Sequence, residues 1–279
     1  MRRSAKRQFL LLGMIACLSG TAAAQQAPQA GVPPDFSPNA QTAWVGIGIG
    51  ALLPVQGSPK PVSQDPAYPY IPNGTPGKQP TQRISDISNP NLKQWAKDIM
   101  KKDNDEVLKG KFAFTSRSSC IAAGVPGFDL ILGGALSILQ SPGEVTMIFS
   151  GNNEVRHIKL NATHSSNPKS SWYGESIGHY EGDTLVVDTI GLNDKTFIDN
   201  YRTPHTDKLH VTERWRLIEN GAKIEILLAI DDPGTFNEPW QALRQYDRVK
   251  RDYSEDICSE NNSNHFIDYG TPEAKRPDF

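Results

Sequence analysis

Leu209-His210-Val211-Thr212-Glu213-Arg214-Trp215-Arg216-Leu217-Ile218 leads through Glu219-Asn220-Gly221-Ala222 into Lys223-Ile224-Glu225-Ile226-Leu227-Leu228-Ala229-Ile230. Both arms are rich in apolar and β-branched residues, and the Asn-Gly between them accepts the positive φ angles of a tight hairpin turn. Working outward, residues 175–180 and 184–190 flank Glu181-Gly182-Asp183, and residues 145–149 and 155–160 flank Gly151-Asn152-Asn153, so two more hairpins precede the first. Residues 246–249 add a further strand. About eight antiparallel strands without an intervening helix close into a sandwich or a small barrel, because closure removes unpaired edges. The expected fold is mainly β: an antiparallel barrel or sandwich of lipocalin-like size with one N-terminal amphipathic helix. A barrel of that strand number is filled by its own side chains or holds one small ligand.

The helix is expected over 90–108, where Leu92, Trp95, Ile99 and Met100 recur at helical spacing, with Asn89 as its cap and Gly110 as its stop. Ahead of it, 25–87 is rich in Pro, Gly, Gln, Ser and Asn and shows no sustained period. Such a segment buries too little apolar surface to offset its ordering entropy and reads as an extended arm or linker. Trp44-Val45-Gly46-Ile47-Gly48-Ile49-Gly50 is the exception and suits a strand or a docking segment; no Lys-Ser or Lys-Thr follows to make it a phosphate loop.

The opening MRRSAKRQ is basic and runs into an apolar stretch at 9–18 and small residues at 21–24, the pattern of an export signal cleaved after Ala24. The apolar stretch is about ten residues long, whereas a membrane span needs about 20. The expected organisation is a signal (1–24), an arm (25–87), a β domain (88–262) and a tail (263–279), with the mature chain periplasmic or secreted. Met14-Ile15-Ala16-Cys17 loosely imitates a lipidation box and keeps a lipoprotein anchored through Cys17 as the alternative. Of three cysteines, Cys120 and Cys258 remain after cleavage and suggest one disulfide in an oxidising compartment. It would close a loop of roughly 140 residues and contribute at most about 5 kcal/mol; two buried free thiols are the alternative. A net charge of -2, a pI near 6.3 and scattered basic residues argue against a nucleic-acid partner. No second apolar segment suggests an integral membrane part, and oligomeric state is unreadable.

Strand alternation decides which side chains meet the core. Glu213 shares its face with Leu209, Val211, Trp215 and Leu217 and so points inward; the same parity groups Arg156 with Ile158 and Leu160, and Asp188 with Val186 and Ile190. A lone buried carboxylate is costly, so Glu213 needs a cation, and Arg156 is the expected partner. Two readings stay open. Arg156, Glu213 and Asp188 form an ion-pair network that fixes register, or they floor a ligand cavity lined by Trp172, Tyr173 and Trp215. His205, in the loop that leads into the Glu213 strand, suits a general base in the second reading. His164 lies in the polar loop 161–170, and either histidine also suits a plain hydrogen-bonding role. No His or Cys spacing points to a metal, and no cofactor is expected. Gly174-Glu175-Ser176-Ile177-Gly178 spells a nucleophile elbow, but it leads into a hairpin where that motif requires a helix.

The segment SWYGESIGHYEGDTLVVDTIG (171–191) resembles a widespread family of exported bacterial proteins of uncharacterised function. Cys120 with Gly124-Val125-Pro126-Gly127, the run PHTDKLHVTER (204–214) and Cys258-Ser259-Glu260-Asn261-Asn262 agree with it. The resemblance spans roughly 88–262 and implies export and a β-rich domain, with no activity attached. The combined expectation is an exported barrel that binds a small, partly apolar molecule through Arg156, Trp172, Tyr173 and Trp215. If it is an enzyme, His205, Glu213 and Asp188 suit proton transfer in a cofactor-independent lyase or isomerase. The alternatives are a non-catalytic envelope or binding protein, and a serine hydrolase acting through Ser176, which requires a histidine at that hydroxyl.

Overall fold

The structure, a computed structural model, describes residues 32–37, 42–48, 51–111, 113–116, 118, 120–131 and 134–250. The expected signal, the tail and Cys258 lie outside the described residues, and with Cys258 the disulfide to Cys120. In chain order the elements are β1 (Thr42–Gly46), β2 (Leu53–Pro54), α1 (Gln94–Leu108), β3 (Leu136–Gln140), β4 (Glu144–Phe149), β5 (Glu154–Leu160), β6 (Glu175–Glu181), β7 (Thr184–Ile190), β8 (His210–Ile218), β9 (Lys223–Asp231) and β10 (Trp240–Lys250).

The three hairpins form as read, β4 with β5, β6 with β7 and β8 with β9. The β8–β9 turn is longer than Asn-Gly alone would make it. Ile218 faces Lys223 across the ladder, and Glu219, Asn220 and Gly221 all take positive φ. Strands β3 to β10 pair in sequence order, and β1 lies along β10 while touching β3 at Trp44 opposite Leu136. Nine strands thereby close into a barrel, and the short β2 pairs with the other end of β10. The expectation of purely antiparallel pairing is corrected at one seam. β5 and β6 run parallel, Lys159 opposite Ile177, because residues 161–174 carry the chain back before β6 begins.

Closure depends on the segment read as an arm. Trp44 on β1 is fully buried, its Nε1 donates to the Phe36 carbonyl at 2.7 Å, and the Arg248 guanidinium lies 4.4 Å from its ring centroid. Residues 51–87 are mostly irregular, as their composition dictates, yet they lie on the domain and are not a free linker. A few apolar side chains dock singly, Val62 into the main core and Ile84 into a small cluster with Val107 and Ala113. Side-chain amides satisfy the irregular backbone, Gln64 donating to the Tyr68 and Thr81 carbonyls, and Asn104 to that of Ser85.

The helix is internal and begins at Gln94, not at Pro90. Tertiary bridging wins over the local signal. Asn89 accepts from the Asn91 amide, Leu92 bridges to Phe236, and the Lys93 amide donates to the Thr235 carbonyl. Its buried stripe is Ala96, Met100, Asp103, Asn104 and Val107, so Trp95 is left exposed and binds the Gly234 carbonyl. Gly110, at φ +96°, ends it as expected. Among the described residues, no helix is long and apolar enough to cross a membrane.

Replacing Trp44 tests the closing strand directly. Trp44→Ala should lower stability by about 3–5 kcal/mol, read from the urea midpoint. An unchanged midpoint would mean that β1 contributes nothing to closure.

Candidate functional site

On β5 the buried side chains are Glu154, Arg156 and Ile158, and on β8 they are Val211, Glu213 and Trp215, as alternation requires. Inside the barrel Arg156 makes a two-pronged contact with Glu213: Nη1 donates to Oε1 at 2.9 Å and Nη2 to Oε2. Nη2 also donates to Thr189 Oγ1 at 3.0 Å, and Trp215 Nε1 donates to Glu213 Oε1 at 3.2 Å. A 3-10 turn, Gly127–Leu130, then pushes Asp129 into the same space, with Oδ1 3.8 Å from Arg156 Nη1. Its backbone carbonyl is pinned from β10 by the Tyr246 hydroxyl at 2.6 Å and by Arg244 Nε at 3.1 Å.

The two carboxyls divide the work. Burial, reinforced by the adjacent Glu213, pushes Asp129 well above the usual carboxylate range. Burial alone would raise Glu213 too, but the charge and hydrogen bonds of Arg156, with those of Asp129 and Trp215, hold it below its ordinary value. Both partners of the ion pair have no exposed side-chain surface, and Trp215 stacks on Tyr246 at 6.4 Å. None of Arg156, Glu213 and Trp215 lines the cavities described below.

The other expected residues lie elsewhere. Asp188 keeps its parity with Val186 and Ile190, but that face is the outer one, since Leu185, Val187 and Thr189 fill the core side. Val186 is nearly as buried, at 8 %, so apolar character pointed to the wrong face. Asp188 instead binds His164 Nε2 at 2.7 Å and His210 Nε2 at 2.8 Å, and His164 Nδ1 reaches Glu175 at 3.0 Å. His164 and Asp188 line one shallow depression of about 500 Å³, and His210 another of about 380 Å³. Among the described residues, no group of three or more His, Cys, Asp or Glu is arranged to hold a metal.

His205 is buried, and its partners are Thr196 Oγ1 at Nε2 (2.8 Å) and the Thr206 carbonyl at Nδ1 (3.0 Å). A carbonyl can only accept, so Nδ1 carries the proton and Nε2 accepts from Thr196. Burial lowers its pKa, which keeps this neutral form. Thr196 in turn lies against Gly124, where a Cβ would come within 2.6 Å and where φ is +70°. Tyr173 donates to Glu154 at 2.5 Å and meets Phe128 edge-on at 6.1 Å, whereas Trp172 is half-buried in the loop before β6. Ser176 is buried and bonded to Thr189 and Arg156; no histidine is among its partners.

The enclosed space lies at the barrel mouth. A half-enclosed cavity of about 260 Å³ has its apolar lining from Phe114, Leu130, Ile131 and Phe197, and its charged lining from Arg83, Arg202, Glu154 and Asp199. Gly127 and Leu130 of the Asp129 turn line it, so that turn separates cavity from core. Arg202 is 1 % exposed and lies within a tight loop closed by Ile198 N–Thr203 O at 2.9 Å, in which Asp199 accepts from the Tyr201 and Thr203 amides and the Thr203 hydroxyl. Arg202 Nη2 donates to the Arg83 carbonyl, and Nε lies 3.7 Å from Asp103. Arg83 reaches across to Asn200, donating to its carbonyl and its side-chain oxygen at 3.0 Å. Burial pulls Arg202 down to about 10, still charged at neutral pH, and burial raises Asp103 to about 6. Both arginines take left-handed backbone, φ +68° and +62°, which costs an L-residue about 1–2 kcal/mol each.

The sequence reading pointed at the loop that holds Arg202 but singled out His205, three residues on. Arg83 was hidden in the supposed arm, and Asp129 in a turn that no alternation governs. No family model matches this chain, and no curated protein matches it.

Two measurements check these electrostatics. Glu213→Leu alone should cost about 3–5 kcal/mol by leaving Arg156 uncompensated, and adding Arg156→Met should recover most of it; a double variant no more stable than the single would contradict the pairing. Asp103 has a raised pKa, so its contribution is present below pH 3.8 and is lost as the pH rises through about 6. Asp103→Asn should therefore gain about 2–3 kcal/mol relative to wild type between pH 4 and pH 7 in urea titrations, and a pH-independent difference would refute the assignment.

Proposed function

We propose that this protein is an exported barrel that binds a small, partly apolar molecule, and that the molecule occupies the mouth cavity. One observation carries the reading: the barrel axis is filled, while a cavity of about 260 Å³ at its end brings aromatic side chains and two arginines together. That volume lies just under the roughly 300–1,000 Å³ of sites for drug-sized ligands, the scale of a compact metabolite. The basic and apolar opening of the chain and the family resemblance support export. Arg156 and Glu213 take the register-fixing role. His205, Glu213 and Asp188 each have separate partners and do not converge, so binding is favoured here over proton transfer. The partners of Ser176 give a hydrolase reading no histidine.

The test is to purify the full chain and an Ala123→Phe variant, which fills the cavity from its wall, and to identify released small molecules by mass spectrometry. Wild type should retain a compound that the equally folded variant loses by about tenfold or more. Equal retention by both would place the ligand outside the mouth.

A further inference from the structure

We propose that the loop 161–170, on the outer face and apart from the mouth cavity, is a pH-governed latch: a doubly protonated His164 clamped between Glu175 and Asp188 holds it down, and loss of one ring proton releases it.

Both ring nitrogens of His164 face carboxylate oxygens, Nδ1 that of Glu175 at 3.0 Å and Nε2 that of Asp188 at 2.7 Å. An ionised carboxylate only accepts, so both contacts are hydrogen bonds only while the ring carries two protons. A neutral ring keeps one bond and turns a lone pair toward the other carboxylate. The carboxylates stay ionised. The Ser165 amide, with His164 and the Ser165 hydroxyl, holds Glu175 below its ordinary value, and Asp188, which burial alone would raise, is held below its own by His210 and His164. Their share of the latch is lost only when the pH falls through those lowered values, whereas histidine is the side chain that changes charge between about pH 5 and 8. The latch is therefore bounded in acid by the carboxylates and toward base by the imidazole.

The other charged neighbours do not impose the same condition. His210 Nε2 meets Asp188 Oδ2 at 2.8 Å, a bond that a ring with one proton can make. His179, which lines the same depression as His164, is paired with Glu181 at 3.0 Å, and Lys169 of the loop itself is exposed.

Little else holds the loop. The Asn161 amide donates to the Gly178 carbonyl at 2.7 Å and the Ser171 amide to that of Gly191 at 3.1 Å, which fixes the two ends. Between them, among the described residues, the hydrogen bonds to the strands come from His164 and Ser165 and all end on Glu175 or Asp188. Most of the loop is exposed, so little apolar burial opposes its release. Asn161, Ala162 and His164 wall the larger outer depression, and Asn167, Pro168 and Ser170 the smaller. Release joins the two into one groove along Ile177, Asp188 and Ile190, shut in mild acid and open toward base.

Nuclear magnetic resonance on the full chain decides it, through the Cα–H order parameters of residues 162–170 at about pH 5 and about pH 8.5. In wild type they should fall from about 0.85 to below about 0.6, while those of β6 and β7 stay constant. His164→Gln, with no charge to offer, should leave the loop mobile at both. Asp188→Asn should keep it ordered at the higher pH, because the new amide donates to a neutral Nε2 while Nδ1–H still reaches Glu175. A wild-type loop equally ordered at both pH values, a His164→Gln loop ordered at either, or an Asp188→Asn loop as mobile as wild type at the higher pH would overturn the latch.

Discussion

A guanidinium and a carboxylate with no access to water hold this barrel in register. Arg156 on β5 and Glu213 on β8 are separated along the wall by β6 and β7, and Thr189 and Ser176 of those strands turn their hydroxyls to the same guanidinium. A one-residue slip of any of these strands would carry its member to the outer face and leave a charge buried alone. Asp129 completes the arrangement from a turn instead of a strand, so the pair also fixes where that turn sits. What lies beyond the Asp129 turn is positioned by what lies beneath it.

The mouth is assembled from segments far apart in sequence. Arg83 comes from the irregular wrap, Phe114 from the stretch after the helix, Leu130 from the Asp129 turn, and Arg202 from the loop between β7 and β8. Each is held by contacts of its own: Arg83 by Asn200, Arg202 by the Arg83 carbonyl, Asp199 by its loop amides. A cavity built this way stays open because its walls are secured to the barrel and to one another, not to whatever enters. The outer-face cluster of His164, Asp188 and His210 is a separate construction, with Asp188 spending both oxygens on the two histidines.

Legibility in the sequence followed periodicity. The hairpins and the inward Arg156 and Glu213 were readable because period-two patterns are local and their turns carry Gly or Asn. Asp188 failed because β7 is apolar on both faces, so parity was right and direction was not. β3 and the closing role of β1 were weak signals, a five-residue run and a glycine-spaced one, whose meaning comes from the partner strand. The wrap was misjudged for a related reason: composition reports average hydrophobicity, and here a handful of single anchors such as Val62 and Ile84 suffices. Arg83 and Arg202 show no periodic pattern, since both sit at left-handed positions in irregular segments where alternation has no hold.

The seam between β1 and β10 joins Thr42 to Lys250, so strands about 200 residues apart must find each other. Local hairpins can zip early, whereas this seam has the high contact order that slows folding. Until it forms, the edges of β3 and β10 stand bare and can recruit another molecule's strand. A polypeptide laid out this way gains a finished cylinder only when its far end is in hand, and it needs shielding from its neighbours until then.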